Sequence, residues 1–339
     1  MGSTAKRAAV AAAAATLSLR LIAAGAADAT PPADPRAAQA EIMRQHAALP
    51  DTPGTGPFPA LKEETASLAD HVIYRPAHLD RLGATKLGLY VFGNGACSND
   101  GASSRLHLLE VASHGYLVIA SGRIRTGPGA TVPAAAAPAS APAKPGSTPA
   151  TLPTPPTTSA DLVSAVDWAL RQNDDPKSPY YKKIDPKAVA VSGYSCGALQ
   201  ALEIAHDPRV KTVVVMNSGI VRPGTMPTPI PGMGQQKSLL ETLRTPTIYI
   251  LGGETDIAYA NGVDDFRRID KVPVFLGNVL NVGHAGTYWE PNGGKAASAV
   301  VAWLDWQLRN DAKAAKMFVG KDCGLCTDAA WSVEKKRIP

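Results

Sequence analysis

Short apolar runs alternate with longer amphipathic segments from residue 71 onward. The runs are typical of strands buried on both faces of a parallel sheet, and they predict strands at His71–Arg75, Leu87–Phe92, Tyr116–Ala120, Ala188–Ser192, Thr212–Met216, Thr247–Leu251 and Val274–Leu280. Between them, apolar residues recur every three or four positions, which predicts helices at Ser104–Ser113, Ser159–Gln172 (with Ser159 as the N-cap), Ala198–Ala205 and Lys295–Arg309. The alternation predicts an α/β fold with a mostly parallel, doubly wound sheet flanked by helices.

Two stretches lack this alternation. Residues 127–158 consist almost wholly of Pro, Ala, Thr, Ser and Gly, a composition that buries too little apolar surface to offset the entropy of ordering. Because strands and helices resume afterwards, we interpret this stretch as an insertion within one domain, residues 70–339. Residues 30–69 are rich in Pro and Ala, with one helical patch near Ala37–Ala48, and we predict that they form an extension along the domain surface.

The first 29 residues have the organisation of a secretory signal peptide. Lys6 and Arg7 precede the apolar run Ala8–Leu19, and small residues at Ala24–Ala26 or Ala27–Ala29 offer cleavage sites. We therefore expect a secreted or periplasmic protein, and a disordered Ala-rich tail is the alternative. No later stretch is long and apolar enough to predict a membrane span.

The charge argues against nucleic acid as a partner. The chain of 339 residues has a formal net charge of +5. Lys6, Arg7 and Arg20 less Asp28 contribute +2 of this within residues 1–29, which leaves +3 for the rest. Such a small excess, without a basic block interleaved with aromatic residues, is not typical of a nucleic-acid-binding surface.

The segment Gly193–Gly197 reads Gly-Tyr-Ser-Cys-Gly and matches the G-x-S-x-G pattern of a serine nucleophile. It follows the predicted strand Ala188–Ser192 and precedes the predicted helix Ala198–Ala205, which is the context that makes the pattern informative. A sharp turn there projects the Ser195 hydroxyl above the sheet edge, beside the positive end of the helix dipole. We predict Ser195 as the nucleophile, with an ordinary strand-to-helix turn as the alternative.

A serine nucleophile needs a histidine that acts as its base. Two histidines follow Ser195 in the chain. His206 lies at the end of the helix that starts beside Ser195, about 15 Å along its axis, which is too far to act. His284 lies in a Gly-flanked loop just after a predicted strand, and it is the predicted base.

The base in turn needs a carboxylate that orients it, and in this type of fold the carboxylate comes between the serine and the histidine along the chain. Asp256 lies on a turn after the strand Thr247–Leu251 and is the predicted acid. Glu254 is its nearest rival. Asp264 and Asp265 have the pattern of a solvated helix start.

The tetrahedral intermediate of acyl transfer needs two backbone N–H donors. One is expected from Cys196, the residue after the nucleophile. The second is expected from the loop Gly93–Cys97, whose small residues let the backbone approach an oxyanion, with Asn94 as first choice and Gly95 as second. A plain glycine turn is the alternative for this loop.

Other residues near these motifs are predicted to contact the substrate. The Pro- and Gly-rich segment Ser218–Gln236 follows a strand and is expected to line the acyl or alcohol pocket. An ordinary surface loop is the alternative for this segment, and core positions are the alternative for the aromatic residues Tyr288 and Trp289. The individual substrate-binding candidates are Gly95, Tyr194, Tyr288 and Trp289.

In order and spacing, these motifs resemble the dienelactone-hydrolase-like and cutinase-like polyester-hydrolase branch of the α/β-hydrolase family, over residues 70–312. The segments that carry the resemblance are Tyr90–Gly95, Ala112–Ile119, Gly193–Gly197, Gly253–Ala258 and Gly283–His284. The resemblance implies an α/β-hydrolase fold, hydrolysis of carboxylic esters without a cofactor, and a structural place for His114. Cys196 and Asn94 stand where polyester hydrolases usually have Met and an aromatic residue, and the insertion has no counterpart in small cutinases, so the ester itself is left open.

Four cysteines are present, an even number that favours disulfides in an exported chain. Cys97 and Cys196 lie in segments that must converge on the oxyanion site, so a bond between them would clamp the two donor loops together, and two buried thiols are the alternative. Cys323 and Cys326 have a C-x-x-C spacing, for which we favour a local disulfide over a metal or redox site. No metal site is predicted.

The motifs together predict a serine esterase that acts through an acyl-enzyme on a small-molecule or polymeric ester. Three alternatives share the same scaffold. In the first, the acyl group passes to an alcohol instead of water. In the second, the bond cleaved is an amide, and in the third the protein is a non-catalytic binding protein. Product analysis with a competing alcohol and labelling by a fluorophosphonate distinguish them.

Overall fold

The structure, a computed structural model, describes residues 35–130, 154–222 and 232–339. The predicted signal peptide and most of the predicted insertion therefore lie outside the described residues. The chain divides into two compact units, Met1–Met43 and Arg44–Pro339. Within the first unit the structure describes helical residues 35–43, and the second unit contains the sheet.

The described part of the chain forms one nine-stranded sheet and a set of α-helices. The strands are β1 (Ala60–Thr65), β2 (Leu68–Pro76), β3 (Leu87–Gly93), β4 (Tyr116–Ser121), β5 (Ile184–Tyr194), β6 (Val210–Met216), β7 (Thr247–Leu251), β8 (Val274–Val279) and β9 (Trp331–Lys336). The α-helices are α1 (Pro35–Ala48), α2 (Arg105–Ser113), α3 (Ser159–Asp174), α4 (Cys196–Glu203), α5 (Tyr259–Arg268), α6 (Gly294–Arg309), α7 (Ala312–Ala315) and α8 (Gly324–Thr327). Short 3-10 helices occupy Leu79–Leu82, Gly95–Cys97, Lys237–Thr242 and Pro291–Gly293.

The sheet has the strand order β1-β2-β4-β3-β5-β6-β7-β8-β9. Neighbouring strands from β4 to β8 in this order are parallel, whereas the pairs β1–β2, β2–β4 and β8–β9 are antiparallel. The predicted α/β class with a mostly parallel sheet flanked by helices is confirmed at this level. The carboxyl ends of the central strands share one edge, where ligands bind in sheets of this kind.

The core has two layers, one on each face of the sheet. Along β3, Leu89 and Val91 belong to the layer covered by α3, α4 and α5, whereas Tyr90 and Phe92 belong to the layer covered by α2 and α6. Consecutive residues of a strand point to opposite faces. A strand that is buried on both faces therefore needs the continuous apolar run from which it was predicted.

All seven predicted strands are present, as β2 to β8, and the four predicted helices are present as α2, α3, α4 and α6. The predicted helical patch near Ala37–Ala48 is part of α1. One detail of α3 differs from the prediction. Its N-cap is Thr158 and not Ser159, because Thr158 and Asp161 form a reciprocal capping box.

The domain boundary predicted between residues 69 and 70 is wrong, because β1 and the start of β2 belong to the sheet. Every residue of β1 is partly exposed, and β9 at the opposite edge also contains several partly exposed residues. Edge strands of this kind lack the apolar run that marks a fully buried strand. None of the described helices has the length and apolar character needed to cross a bilayer.

Candidate active site

Ser195 lies on the sharp turn between β5 and α4. Its backbone has φ 53° and ψ −121°, a left-handed conformation that is strained for a residue with a side chain. The Ser195 N–H donates to the Met216 carbonyl at 3.0 Å, which ties the turn to the end of β6. The turn also needs a close approach of two glycines, since a Cβ on Gly197 would overlap the carbonyl group of Gly93.

The imidazole of His284 connects the serine to a carboxylate. Its Nε2 atom lies 3.0 Å from Oγ of Ser195, and its Nδ1 atom lies 2.7 Å from Oδ1 of Asp256. The His284 side chain is 24% exposed and that of Asp256 is fully buried. The structure thus brings together the three side chains predicted as a triad, from the ends of three parallel strands.

The carboxylate of Asp256 is held by backbone and side-chain donors. Its two oxygens accept hydrogen bonds from the N–H groups of Ala258 at 2.9 Å and Gly252 at 3.1 Å, and from the Asn217 amide at 2.9 Å. Burial on its own raises the pKa of this carboxyl, but the hydrogen bonds from His284 and these three donors together hold the pKa below its usual value. An ionised Asp256 can only accept, so Nδ1 of His284 carries the proton and its Nε2 is free to accept one from Ser195.

The alternative residues considered for the base and the acid do not reach the site. Glu254 and His206 are exposed, and neither forms the contacts that Asp256 and His284 make. The prediction that Asp265 belongs to a solvated helix start is wrong. Asp265 is fully buried in α5, where it accepts hydrogen bonds from the Ile220 N–H and the Tyr249 hydroxyl, and burial raises its pKa to about 6.

The loop after β3 lies against the nucleophile turn. The side-chain amide of Asn94 donates to the carbonyls of Ser98 at 2.9 Å and Ser121 at 2.5 Å. The Asn94 backbone nitrogen would lie 2.5 Å from a Cβ on Gly197, which places it beside the first turn of α4. The N–H of Cys196 belongs to the first turn of that helix, where N–H groups have no partner within the helix. Both predicted oxyanion donors are therefore at this junction.

Both predicted disulfide pairings are confirmed. Cys97 is joined to Cys196 with their Cα atoms 5.2 Å apart, which links the loop after β3 to the residue after Ser195. Cys323 is joined to Cys326 at the start of α8, with a Cα separation of 4.9 Å.

Asn217, which the sequence analysis missed, and Ser218, the first residue of the predicted pocket segment, together contact the segments that carry Ser195, Asp256 and His284. Asn217, directly after β6, donates to Asp256 and also to the carbonyl of Gly283 at 3.2 Å, next to the histidine. The neighbouring Ser218 hydroxyl donates to the carbonyl of Ser195 at 2.8 Å. The signal in the sequence is weak, consisting of two small polar residues at the carboxyl end of a predicted strand.

Similarity to known proteins does not identify a function. No family model matches the chain, and no curated protein shows significant similarity to it. Within the described ranges, no group of three or more His, Cys, Asp and Glu side chains could hold a metal ion. The function is therefore inferred from the geometry of the site.

The predicted substrate-binding residues occupy three different environments. The Tyr194 hydroxyl donates to the His284 carbonyl at 2.9 Å, and its ring packs beside the His284 and Tyr288 rings, with centroids 5.3 and 4.7 Å away. Tyr288 is only 3% exposed, so it supports Tyr194 from the core and does not form an open wall. The Trp289 ring is partly exposed and stacks on His46.

Gly95 packs directly against the ring of Tyr194. A Cβ at residue 95 would lie 2.5 Å from two atoms of that ring. Glycine at this position therefore allows the loop after β3 to approach the nucleophile turn. Of the segment 218–236 that was expected to line the pocket, residues 223–231 lie outside the described part of the chain.

Proposed function

We propose that the protein is a serine carboxylic-ester hydrolase with an α/β-hydrolase fold. Its proposed substrates are small or aromatic esters, and polyesters are a further candidate class. The observation that carries the proposal is the chain of contacts from Ser195 Oγ to His284 to Asp256, at 3.0 and 2.7 Å. A serine on a strained strand-to-helix turn, a histidine and a buried carboxylate are the parts that nucleophilic acyl transfer requires.

In the proposed reaction, Ser195 Oγ attacks the ester carbonyl while His284 Nε2 takes its proton. Asp256, held ionised by its hydrogen bonds, accepts from Nδ1 and stabilises the imidazolium that forms. The N–H groups of Cys196 and Asn94 donate to the oxyanion of the tetrahedral intermediate. His284 then returns the proton to the leaving alcohol, and a water molecule activated by the same imidazole hydrolyses the acyl-enzyme.

The fold assignment within the α/β class is supported by where the site residues fall. The nucleophile follows β5, the acid follows β7 and the base follows β8, which is the chain order Ser, Asp, His of α/β-hydrolases. The second oxyanion donor comes from the loop after β3, as it does in that fold. These positions agree with the family resemblance of the sequence.

We also propose that the protein is exported. The sequence of residues 1–29 favours a cleaved signal peptide, and two disulfides are present among the described residues. Disulfides form and persist in oxidising compartments. Expression of the full chain in a host that secretes proteins, followed by mass spectrometry of the N-terminal peptide, tests this. We expect a mature N-terminus between residues 25 and 31, and an intact Met1 on cell-retained protein contradicts export.

The activity is tested with p-nitrophenyl acetate and the Ser195→Ala variant. We expect the parent protein to turn over the ester and to be labelled by a fluorophosphonate. The variant should lose both properties while its circular dichroism spectrum and melting temperature stay close to those of the parent. Retained turnover in Ser195→Ala, or absence of labelling in the folded parent, contradicts the proposal. A panel of esters varied in acyl and alcohol groups, including an aromatic diester and a polymer film, then identifies the substrate class.

A further inference from the structure

We infer that the Cys97–Cys196 disulfide positions the oxyanion hole by holding the loop after β3 in a strained conformation against the nucleophile turn. The inference rests on the proposed function, since it gives the disulfide a task in the same reaction. It concerns the relative position of two backbone donors, the N–H groups of Asn94 and Cys196.

The strain lies in the backbone of the loop itself. Ala96 has φ 54° and ψ 17°, and Cys97 has φ 48°. Both are left-handed, a conformation that residues with a side chain adopt rarely and usually singly. Two consecutive strained residues persist only where the surrounding structure enforces them, and such places are often functional sites.

Hydrogen bonds fix the loop to three other parts of the fold. Asn94 donates to the carbonyls of Ser98 and Ser121, and the Cys97 carbonyl accepts from both the N–H and the hydroxyl of Thr157, at 3.2 and 2.9 Å. These bonds tie the loop to its own turn, to the end of β4 and to the segment before α3. The disulfide adds a covalent link to the nucleophile turn itself.

The disulfide joins the loop to Cys196, the residue whose N–H group is the other oxyanion donor. Cys196 directly follows Ser195 and opens α4, so its side chain and its N–H belong to the same rigid turn. Cys97 lies three residues after Asn94 in the same loop, and its N–H donates to the Asn94 carbonyl at 3.1 Å. Holding Cys97 to Cys196 therefore holds the Asn94 N–H at a fixed place relative to the Cys196 N–H.

Without the bond, we expect the left-handed pair to relax toward negative φ and to carry the Asn94 N–H away from the oxyanion. Loss of one oxyanion donor typically lowers kcat by about 100- to 1000-fold. Binding of the substrate in its ground state does not use this donor fully, so KM should change little. A disulfide that only stabilises the fold would leave kcat unchanged at temperatures well below melting.

The first experiment compares two variants that lack the same bond but differ at the strained position. Cys97→Ala/Cys196→Ala keeps the steric cost of a left-handed residue 97, whereas Cys97→Gly/Cys196→Ala removes it, because glycine adopts positive φ freely. We expect the alanine variant to lose about 100- to 1000-fold in kcat with KM within about twofold of the parent, and the glycine variant to recover part of that loss.

The second disulfide supplies the matched control. Cys323→Ala/Cys326→Ala removes a bond between residues 3 apart in sequence, compared with 99 for the first pair, at the start of α8. We expect this variant to keep the kcat of the parent. The inference is overturned if the alanine variant at residues 97 and 196 keeps parental kcat, if the glycine variant is as impaired as the alanine one, or if the control loses the same activity.

A measurement on the parent sequence covers the case in which the variants do not fold. A water-soluble phosphine reduces the disulfide to two thiols and is itself oxidised to the phosphine oxide with oxygen from water. Both cysteines are buried, with Cys97 0% and Cys196 3% exposed, so we expect reduction to be slow enough to follow in time. Alkylation and peptide mass spectrometry report which pair is reduced. We expect activity to fall in step with reduction of Cys97–Cys196, and full activity of the reduced pair overturns the inference.

Hydrogen exchange separates this inference from the proposed function. Faster exchange in a peptide that covers residues 93–98 after loss of the bond reports the loop directly, without any substrate. A parent protein that lacks esterase activity but shows this change refutes the function and keeps the role in loop positioning. An active parent whose loop exchange and kcat do not depend on the bond refutes the inference and keeps the function.

Discussion

The side-chain amide of Asn217 lies 2.9 Å from Oδ2 of Asp256 and donates a hydrogen bond to it. The same nitrogen donates to the Gly283 carbonyl at 3.2 Å. One amide therefore contacts both the loop that carries Asp256 and the loop that carries His284. Asn217 itself has φ 45°, a left-handed conformation that Asn tolerates better than most residues. This backbone conformation and the two hydrogen bonds of the amide fix the Asn217 side chain between Asp256 and Gly283.

We predict that Asn217→Gly lowers kcat/KM by about 10- to 100-fold, since a hydrogen bond to a charged group contributes about 1.5–3 kcal/mol. Glycine keeps the left-handed backbone, so the change removes the amide without adding strain. Steady-state kinetics on a p-nitrophenyl ester, with urea unfolding as a check on folding, measures the effect. A variant with parental kcat/KM contradicts the positioning role of the amide.

Asn217→Asp keeps the shape of the side chain but replaces the donor with a carboxylate beside Asp256. Where both carboxylates are ionised, the added negative charge favours a protonated imidazole at His284. We therefore expect the acid limb of the profile of kcat/KM against pH to move to higher pH. An acid limb at the parental pH indicates that residue 217 does not act on the triad.

We predict that Gly197→Ala impairs both folding and activity. A Cβ at residue 197 would overlap the Gly93 carbonyl and crowd the Asn94 nitrogen, so the nucleophile turn and the oxyanion loop must separate. Such overpacking typically costs about 1–3 kcal/mol in the free energy of unfolding. Urea unfolding and kcat should both report the change. Gly234→Ala is the matched control, because a Cβ there meets open space, and equal effects of the two substitutions contradict the prediction.

The interior of the sheet could be predicted from the sequence because burial on both faces demands continuous apolar runs, as in β3 and β7. The edge strands β1 and β9 could not, because partly exposed strands need no such run. The convergence of Ser195, Asp256 and His284 could be predicted because the proposed chemistry restricts the site to three residue types in a fixed order at strand ends. The Cys97–Cys196 pairing followed from the same convergence of two loops.

The supporting residues of the site could not be predicted in this way. Asn217 acts where the loops after β6, β7 and β8 come together, and no local pattern in the sequence shows that these loops lie side by side. Tyr288 was expected at a substrate wall because it lies near His284, but its ring packs inward against Tyr194 and His107. A sequence shows that an aromatic residue is close to a loop, but not which side of the loop it faces.

Tyr194 tests the difference between positioning and substrate contact. Its hydroxyl donates to the His284 carbonyl and its ring packs beside the imidazole. If this contact serves to place the base, Tyr194→Phe should lower kcat by about 2- to 10-fold, the value of one neutral hydrogen bond, with KM unchanged. A rise in KM at constant kcat would instead support the contact with substrate that the sequence suggested. Steady-state kinetics on one ester resolves the two parameters.

Two buried histidines should make the stability of the fold depend on pH. His107 is fully buried in α2, with Nε2 3.3 Å from the Tyr90 hydroxyl, and burial lowers its pKa to about 3. Burial, together with the charge of Arg105, lowers the pKa of His46 to about 4. Histidine in an unfolded chain titrates near about 6.5, so below that pH the unfolded state binds protons that the folded state does not. Each histidine then removes about 1.4 kcal/mol of stability per pH unit as the pH falls.

Asp265 acts in the opposite direction. Its pKa is raised to about 6 by burial, so between about pH 6 and pH 4 the folded state keeps a proton that the unfolded state has lost. This adds about 1.4 kcal/mol of stability per pH unit as the pH falls through that window. Because two histidines lower the free energy of unfolding and one aspartate raises it, we expect the three groups together to lower it by about 1.4 kcal/mol per pH unit as the pH falls from 6 to 4.

We predict that His107→Gln removes this net dependence. The amide of Gln can still reach the Tyr90 hydroxyl but does not titrate, so the contributions of His46 and Asp265 nearly cancel between pH 6 and pH 4. Urea unfolding at pH 6, 5 and 4 measures the slope for the parent and the variant. His206→Gln, at an exposed position, is the control and should keep the parental slope. Parallel curves for the parent and His107→Gln would show that protonation of His107 is not what opposes folding at acid pH.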